Sequence, residues 1–255
     1  MAGAPTWKIY YDSAQTFWNS DWPKTISLLA RAEKSALSDL GIYDDNYLTI
    51  VNDLALAYTH TNDYSTAEKL FTKIIAARTE LGNISDSEYT NAVMNLANVY
   101  AETAKVKQAA ALYKKLMSSS TPETPDHQKA GESLLRLYES NDQLDSAMLV
   151  ANKLKSQARA NDDNTAFELT LAQGRLNRKL RKYDEAKTIL EYLASYDNSP
   201  ANPLNPDPTR PVPWGQQVWD EMHSVYMTWT AVNDMNRNDD EPIQIPSKRV
   251  FTATR

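Results

Sequence analysis

Apolar side chains between residues 48 and 74 recur three and four positions apart: Leu48, Val51, Leu54, Ala55 and Tyr58, then Tyr64, Ala67, Leu70, Phe71 and Ile74. That spacing predicts two amphipathic helices, each with one face to bury. The break between them, Thr61-Asn62-Asp63, has the chemistry of a tight polar turn. Residues 48–74 therefore read as a helical hairpin.

The pattern then repeats. Leu54-Ala55…Tyr58, Asn62-Asp63-Tyr64-Ser65-Thr66-Ala67 and Phe71…Ile74 return as Leu96-Ala97…Tyr100, Ala104-Lys105-Val106-Lys107-Gln108-Ala109 and Tyr113…Leu116, every matched position shifted by 42. A further copy follows after 38 residues (Leu134-Leu135…Tyr138, Ala147, Ala151…Leu154), and another after 39 (Gly174, Tyr183…Ala186, Leu190…Leu193). A divergent first copy (Ala14…Phe17, Asp21-Trp22, Leu28-Leu29…Ala32) precedes them, giving about five. Ala55, Ala67, Ala97, Ala109, Ala147, Gly174 and Ala186 fall where paired helices must approach closely. One hairpin cannot bury its own face, so neighbours are expected to stack.

These units resemble tetratricopeptide repeats. The spacing, and phrases such as Arg78-Thr79-Glu80-Leu81-Gly82 leading into Tyr89…Val93-Met94-Asn95-Leu96-Ala97, are similar to the kinesin-light-chain subtype, also common in bacterial arrays. The resemblance covers about residues 7–194, with Leu135 in place of a small residue and Asn177 in place of an aromatic. It implies an all-α, right-handed α-solenoid of about five hairpins. It also implies a concave groove that binds a protein or peptide partner, the work of a scaffold or adaptor. Mapping the motif onto this chain puts Asn52, Asp53, Leu56 and Thr59 in that groove from one copy, and Asn91, Met94, Asn95 and Asn98 from the next. Lys129, Ser133 and Arg136 follow, then Glu168, Leu171, Arg175 and Lys179. Asparagine both donates and accepts, so a row of them suits a peptide backbone. The expected partner-binding set is Asn52, Asp53, Asn91, Asn95, Asn98, Lys129, Arg136, Arg175 and Lys179. The lysine–asparagine–arginine clamp that some relatives use for chaperone tails is not reproduced. The rival expectation is a subunit or sensory arm of a larger assembly, binding through its convex face or C-terminal segment.

Beyond the repeats the composition changes. Six of the 12 prolines fall between Pro200 and Pro213, so 198–213 is expected to be an extended linker after a repeat domain at 1–197. Trp214, Val218, Met222, Val225, Trp229 and Val232 then form one helical stripe. Such a stripe serves as a docking helix or as a cap over the last repeat; the cap at 214–235 is expected, because end repeats need covering. Residues 236–255 are polar and read as a tail.

Totals narrow the function further. The net charge of −6 disfavours nucleic acid, and no apolar run of 18 residues is present to span a membrane. The absence of cysteine removes thiolate metal sites, cysteine nucleophiles and the activity of caspase-like domains fused to some such arrays. Met1-Ala2-Gly3-Ala4-Pro5 lacks the basic start and apolar stretch of a signal peptide, and the composition suits cytoplasm or periplasm alike. His60, His127 and His223 share no metal-ligand spacing, and His60 reads as a solvated helix-end residue. Asp44-Asp45 and Asp162-Asp163 read as helix-start caps, without the glycine-punctuated loop of a calcium site. No phosphate loop, dinucleotide fingerprint or nucleophile elbow occurs. An enzyme, a cofactor and a metal are therefore not expected. Arg175, Arg178, Lys179, Arg181 and Lys182 form the one basic cluster, read as a solvated face or a site for an acidic peptide.

Overall fold

The computed structural model describes residues 4–84, 86–158 and 163–197, with 217, 218, 220, 221, 223–225, 227 and 228 of the C-terminal stretch. The predicted linker and tail lie outside the described residues, as do Trp214, Met222, Trp229, Val232 and Asp162. Ten helices run through residues 6–197: α1 (Thr6–Gln15), α2 (Trp22–Leu40), α3 (Asp45–His60), α4 (Tyr64–Glu80), α5 (Ser87–Glu102), α6 (Val106–Ser119), α7 (Pro125–Ser140), α8 (Leu144–Gln157), α9 (Asp163–Lys179) and α10 (Tyr183–Asp197). No strand occurs among the described residues. The chain divides into two compact units, Met1–Leu134 and Leu135–Arg255, with the boundary inside α7.

Four helix starts in the first unit, those of α2 to α5, are set by aspartates. Asp21 accepts from the Lys24 N–H, Asp44 from those of Asn46 and Tyr47, Asp63 from that of Thr66, and Asp86 from that of Tyr89. Each satisfies a donor that an α-helix leaves open in its first turn. Asp44 thus caps as expected, whereas Asp45 pairs instead with Arg78. Helix ends are also closed by a shared device. Asn62, Ala104, Asp142 and Arg181 take left-handed φ of 62°, 56°, 54° and 61°. The next N–H in each case donates five residues back: Asp63 to Tyr58, Lys105 to Tyr100, Gln143 to Tyr138 and Lys182 to Asn177. This is the six-to-one bond of a Schellman turn.

In the first unit each of α1 to α5 packs against its successor. One core joins Tyr47, Leu48, Val51, Ala55, Ala67, Phe71 and Ile74 to Ala92, Leu96 and Val99. A second, around Ala14, Leu29, Leu54 and Ala57, is flanked by Trp18 and Trp22. Ala67 and Ala109 are fully buried, as their place in the repeat requires. His60 is exposed at the end of α3, as expected, and its ring stacks on Trp22 at 4.5 Å.

In the second unit α8 packs on α9 and α9 on α10. Gly174 lies so close to α10 that a Cβ there would sit 2.9 Å from Leu190 Cδ2 and 3.0 Å from its Cγ. Val218 and Val225 share a core with Phe167, Leu171, Ala186, Leu190 and Leu193, with Ile189 beside it. Leu171, expected to line a groove, is instead buried there. Two apolar side chains of the C-terminal stripe therefore pack on the apolar edge of the last hairpin.

Candidate interaction surface

A pocket of about 220 Å³ opens in the first unit where α3, α4 and α5 meet. Leu48, Thr49 and Asn52 come from α3, Ile74 and Arg78 from α4, and Glu88 and Asn91 from α5. Leu48 and Ile74 are each only 2% exposed and provide its apolar side. Thr49 donates its hydroxyl to the Asp45 carbonyl, which leaves the oxygen lone pairs toward other donors. The side-chain amides of Asn52 and Asn91 make no hydrogen bond among the described residues. Two of the expected partner-binding asparagines therefore share one pocket with unspent donors and acceptors.

Arg78 is the residue sequence reasoning missed. It is 4% exposed. Its Nη1 lies 2.7 Å from Asp45 Oδ1 and 3.5 Å from Asp86 Oδ2. Its Nε is buried without an acceptor. The signal available was position: Arg78 falls one turn beyond Ile74 on the buried stripe of its helix, so only its stem and partners can justify it there.

The remaining expected residues behave differently. Asp53 accepts hydrogen bonds from the Tyr11 hydroxyl at 2.8 Å and from Gln15 Nε2 at 3.1 Å, tying α3 to α1. Burial first, then this carboxylate, pushes the Tyr11 phenol well above its ordinary value. Asn95 is half-buried, and Asn98 accepts from the Tyr113 hydroxyl at 2.6 Å. Lys129 and Arg136 are exposed.

In the second unit Arg175 and Lys179 both turn to Glu139. Arg175 Nε and Nη2 reach its two oxygens at 2.7 and 3.0 Å, and Lys179 Nζ adds a third bond at 3.0 Å. Burial alone would raise the Glu139 carboxyl, but the hydrogen bonds from Arg175 and Lys179 outweigh it and hold the group below its ordinary value. The same hydrogen bonding raises Arg175. Arg178 pairs with Glu221 at 3.1 Å. Three members of the basic cluster thus pair with carboxylates of their own unit while keeping part of their surface in water. No cluster of potential metal ligands occurs among the described residues, and no described helix is long and apolar enough to cross a membrane.

The arrangement is similar to solved structures. A crystal structure of kinesin light chain nearly identical TPR-like repeats from Podosopora anserina aligns with a TM-score of 0.63 at 16% identity, over 76% of this chain and 95% of that one. A singly substituted form of that protein gives 0.63 at 17%, with the same coverage. BtubC (BKLC) from P. vanneervenii aligns with 0.57 at 15%, over 96% of this chain and 98% of that one. No family model matches the sequence, and no curated protein sequence matches it. At these identities the likeness speaks for architecture, and it agrees with the helix pairs described above: the chain has the all-α fold of a tetratricopeptide-like repeat protein.

Proposed function

We propose that this protein is a non-enzymatic scaffold or adaptor that holds a peptide segment of a protein partner against α3 and α5. The observation that carries this reading is the shared pocket of Asn52 and Asn91, whose free amides stand over an apolar side made by Leu48 and Ile74. Such a surface offers a peptide main chain both donors and acceptors, with burial for one side chain. Asn95, Lys129 and Arg136 extend the binding set. Asp53, Asn98, Arg175 and Lys179 take part only if a partner displaces the internal bonds they make. The domain plan that accompanies this reading is a repeat domain at 1–197, a proline-rich strap at 198–213, a capping helix at 214–235 and a tail at 236–255. The packing of Val218 and Val225 on Leu190 and Leu193 supports the cap.

The test is retention of a degenerate peptide library on the immobilised chain. Asn52→Ala with Asn91→Ala should abolish retention, while Lys69→Glu on the exposed side of α4 should leave it unchanged. Retention that survives the asparagine pair but disappears on truncation after Asp197 would overturn the reading. The rival, an assembly subunit binding through its C-terminal segment, would replace it.

A further inference from the structure

Charge in the first unit is sorted by helix. α3 and α5 carry Asp45, Asp53, Glu88 and Glu102 and no lysine or arginine, whereas α4 and α6 carry six basic residues and two acidic ones. The asparagines and the carboxylate of the pocket between α3, α4 and α5 come from the acidic pair. Resting on the peptide-binding reading above, we propose that this pocket takes a basic side chain of the partner peptide, a lysine or an arginine.

The pairing of the charges already present selects that sign. Glu88 is exposed, accepts from the Ser87 hydroxyl at 3.2 Å, and has no ion-pair partner among the described residues. Arg78, the cation of the lining, is 4% exposed and faces Asp45 at 2.7 Å and Asp86 at 3.5 Å. Its charge is thus answered from within the protein. Lys73 pairs with Glu33 and Lys105 with Glu68, so neither serves Glu88. The negative sign also continues beyond the pocket. Glu88, Asn91, Asn95, Asn98 and Glu102 fall three and four apart, on one face of α5.

A basic side chain meets the rest of the pocket as well. Its methylenes lie along Leu48 and Ile74, as the stems of long charged side chains do on apolar surface. Its N–H groups donate to the Glu88 carboxylate and to the side-chain oxygens of Asn52 and Asn91. A carboxylate can accept from the asparagine amides, but it would face Glu88 with no unpaired cation beside it. Such like-charge contact is how binding surfaces reject wrong partners. An aliphatic side chain covers Leu48 and Ile74 and leaves Glu88 and both asparagines to water.

An oriented peptide library, each position randomised in turn, tests this on the immobilised full chain. The expected result is one position enriched for lysine or arginine about fivefold over glutamate, equivalent to about 1 kcal/mol. That preference should shrink toward parity as ionic strength rises from about 0.05 to 0.5 M. Glu88→Gln should remove most of it, and Glu88→Lys should reverse it. Glu88 lies in the first turn of α5, where negative charge also steadies the helix, so thermal melting of both variants accompanies the binding data. Asp39→Asn makes an equal change of charge at an exposed position on α2 and should leave the enrichment as in the parent. Enrichment of acidic residues in the parent, or of aliphatic ones alone, would overturn the proposal. An enrichment that Glu88→Gln leaves unchanged, or that Asp39→Asn lowers as much, would overturn it too. Retained binding with no preference would sink the basic side chain while leaving the scaffold reading intact. No library binding at all would sink both.

Discussion

At the turn between α3 and α4, Asn62 takes the left-handed conformation and Asp63 caps the helix that follows; between α9 and α10 the same two places hold Arg181 and Lys182. The first hairpin meets its local backbone demands with residues suited to them, because asparagine tolerates positive φ and aspartate accepts from open N–H groups. The second meets them with a residue that resists the conformation and one that has no acceptor to give. Its close packing comes from elsewhere: Gly174 brings α9 onto Leu190, and Glu139 gathers Arg175 and Lys179. One hairpin plan is therefore held mainly by local chemistry and an aliphatic core in one place, and by close approach and ion pairing in the other.

Six substitutions would sharpen or break this contrast, starting with the largest effect. Gly174→Val sets a branched side chain into space where a single Cβ already meets Leu190 at 2.9 Å. It should cost about 3 kcal/mol in denaturant unfolding, at the upper end for overpacking. A loss below about 1 kcal/mol would show that α9 and α10 are free to separate.

Next comes Glu139→Ala, expected to cost about 2 kcal/mol at neutral pH. That is less than for a fully buried pair, because Arg175 and Lys179 keep about a third of their surface in water. Glu139 is held below its ordinary value in the folded protein. Its contribution is therefore present above the ordinary carboxylate value of about 4.3 and is lost as pH falls through the lowered folded value. The gap between parent and variant should close in acid, and a gap independent of pH would remove the ion network from the account.

Asp63→Ala should cost about 1 kcal/mol, the typical loss of a cap. Thermal melting that does not change would mean the first hairpin does not depend on its local chemistry. The smallest effect has the opposite sign. Ala104 and Arg181 sit at left-handed φ with a β-carbon, a cost of roughly 1–2 kcal/mol that glycine avoids while losing some of the gain to chain entropy. Ala104→Gly and Arg181→Gly should each stabilise by about 0.5 kcal/mol, and Asn62→Gly by less.

Legibility in the sequence followed the repeat length. Ala67 and Ala109, 42 apart, and the aspartate cap at 44 were readable because local geometry repeats with the motif, which also places Asp86 42 residues after Asp44. The period also carried information that went unread. Tyr11 and Asp53 are 42 apart and hydrogen-bonded, and Thr49 and Asn91, 42 apart, share the pocket. Residues one repeat apart occupy matching places on neighbouring helices, so such pairs can be searched for directly. Arg78 with Asp45, 33 apart, and Arg175 with Glu139, 36 apart, fall off that period. They depend on how long side chains reach across helices, which periodicity does not encode. Hence Arg175 and Lys179 read as groove residues although their charges are already used.

Asp86 has two attachments: it caps α5 through the Tyr89 N–H, and it faces Arg78 at the last turn of α4. Fraying of either helix end must therefore disturb a bond of the other. Adjacent hairpins are fastened by more than apolar contact, and an opening that begins in one cannot stop at its own boundary without breaking a cap or stranding a buried charge. In the language of a one-dimensional chain of coupled units, this raises the nearest-neighbour term at the expense of independent melting. The expected consequence is a first unit that exchanges its amide hydrogens as one block across α4 and α5, not hairpin by hairpin.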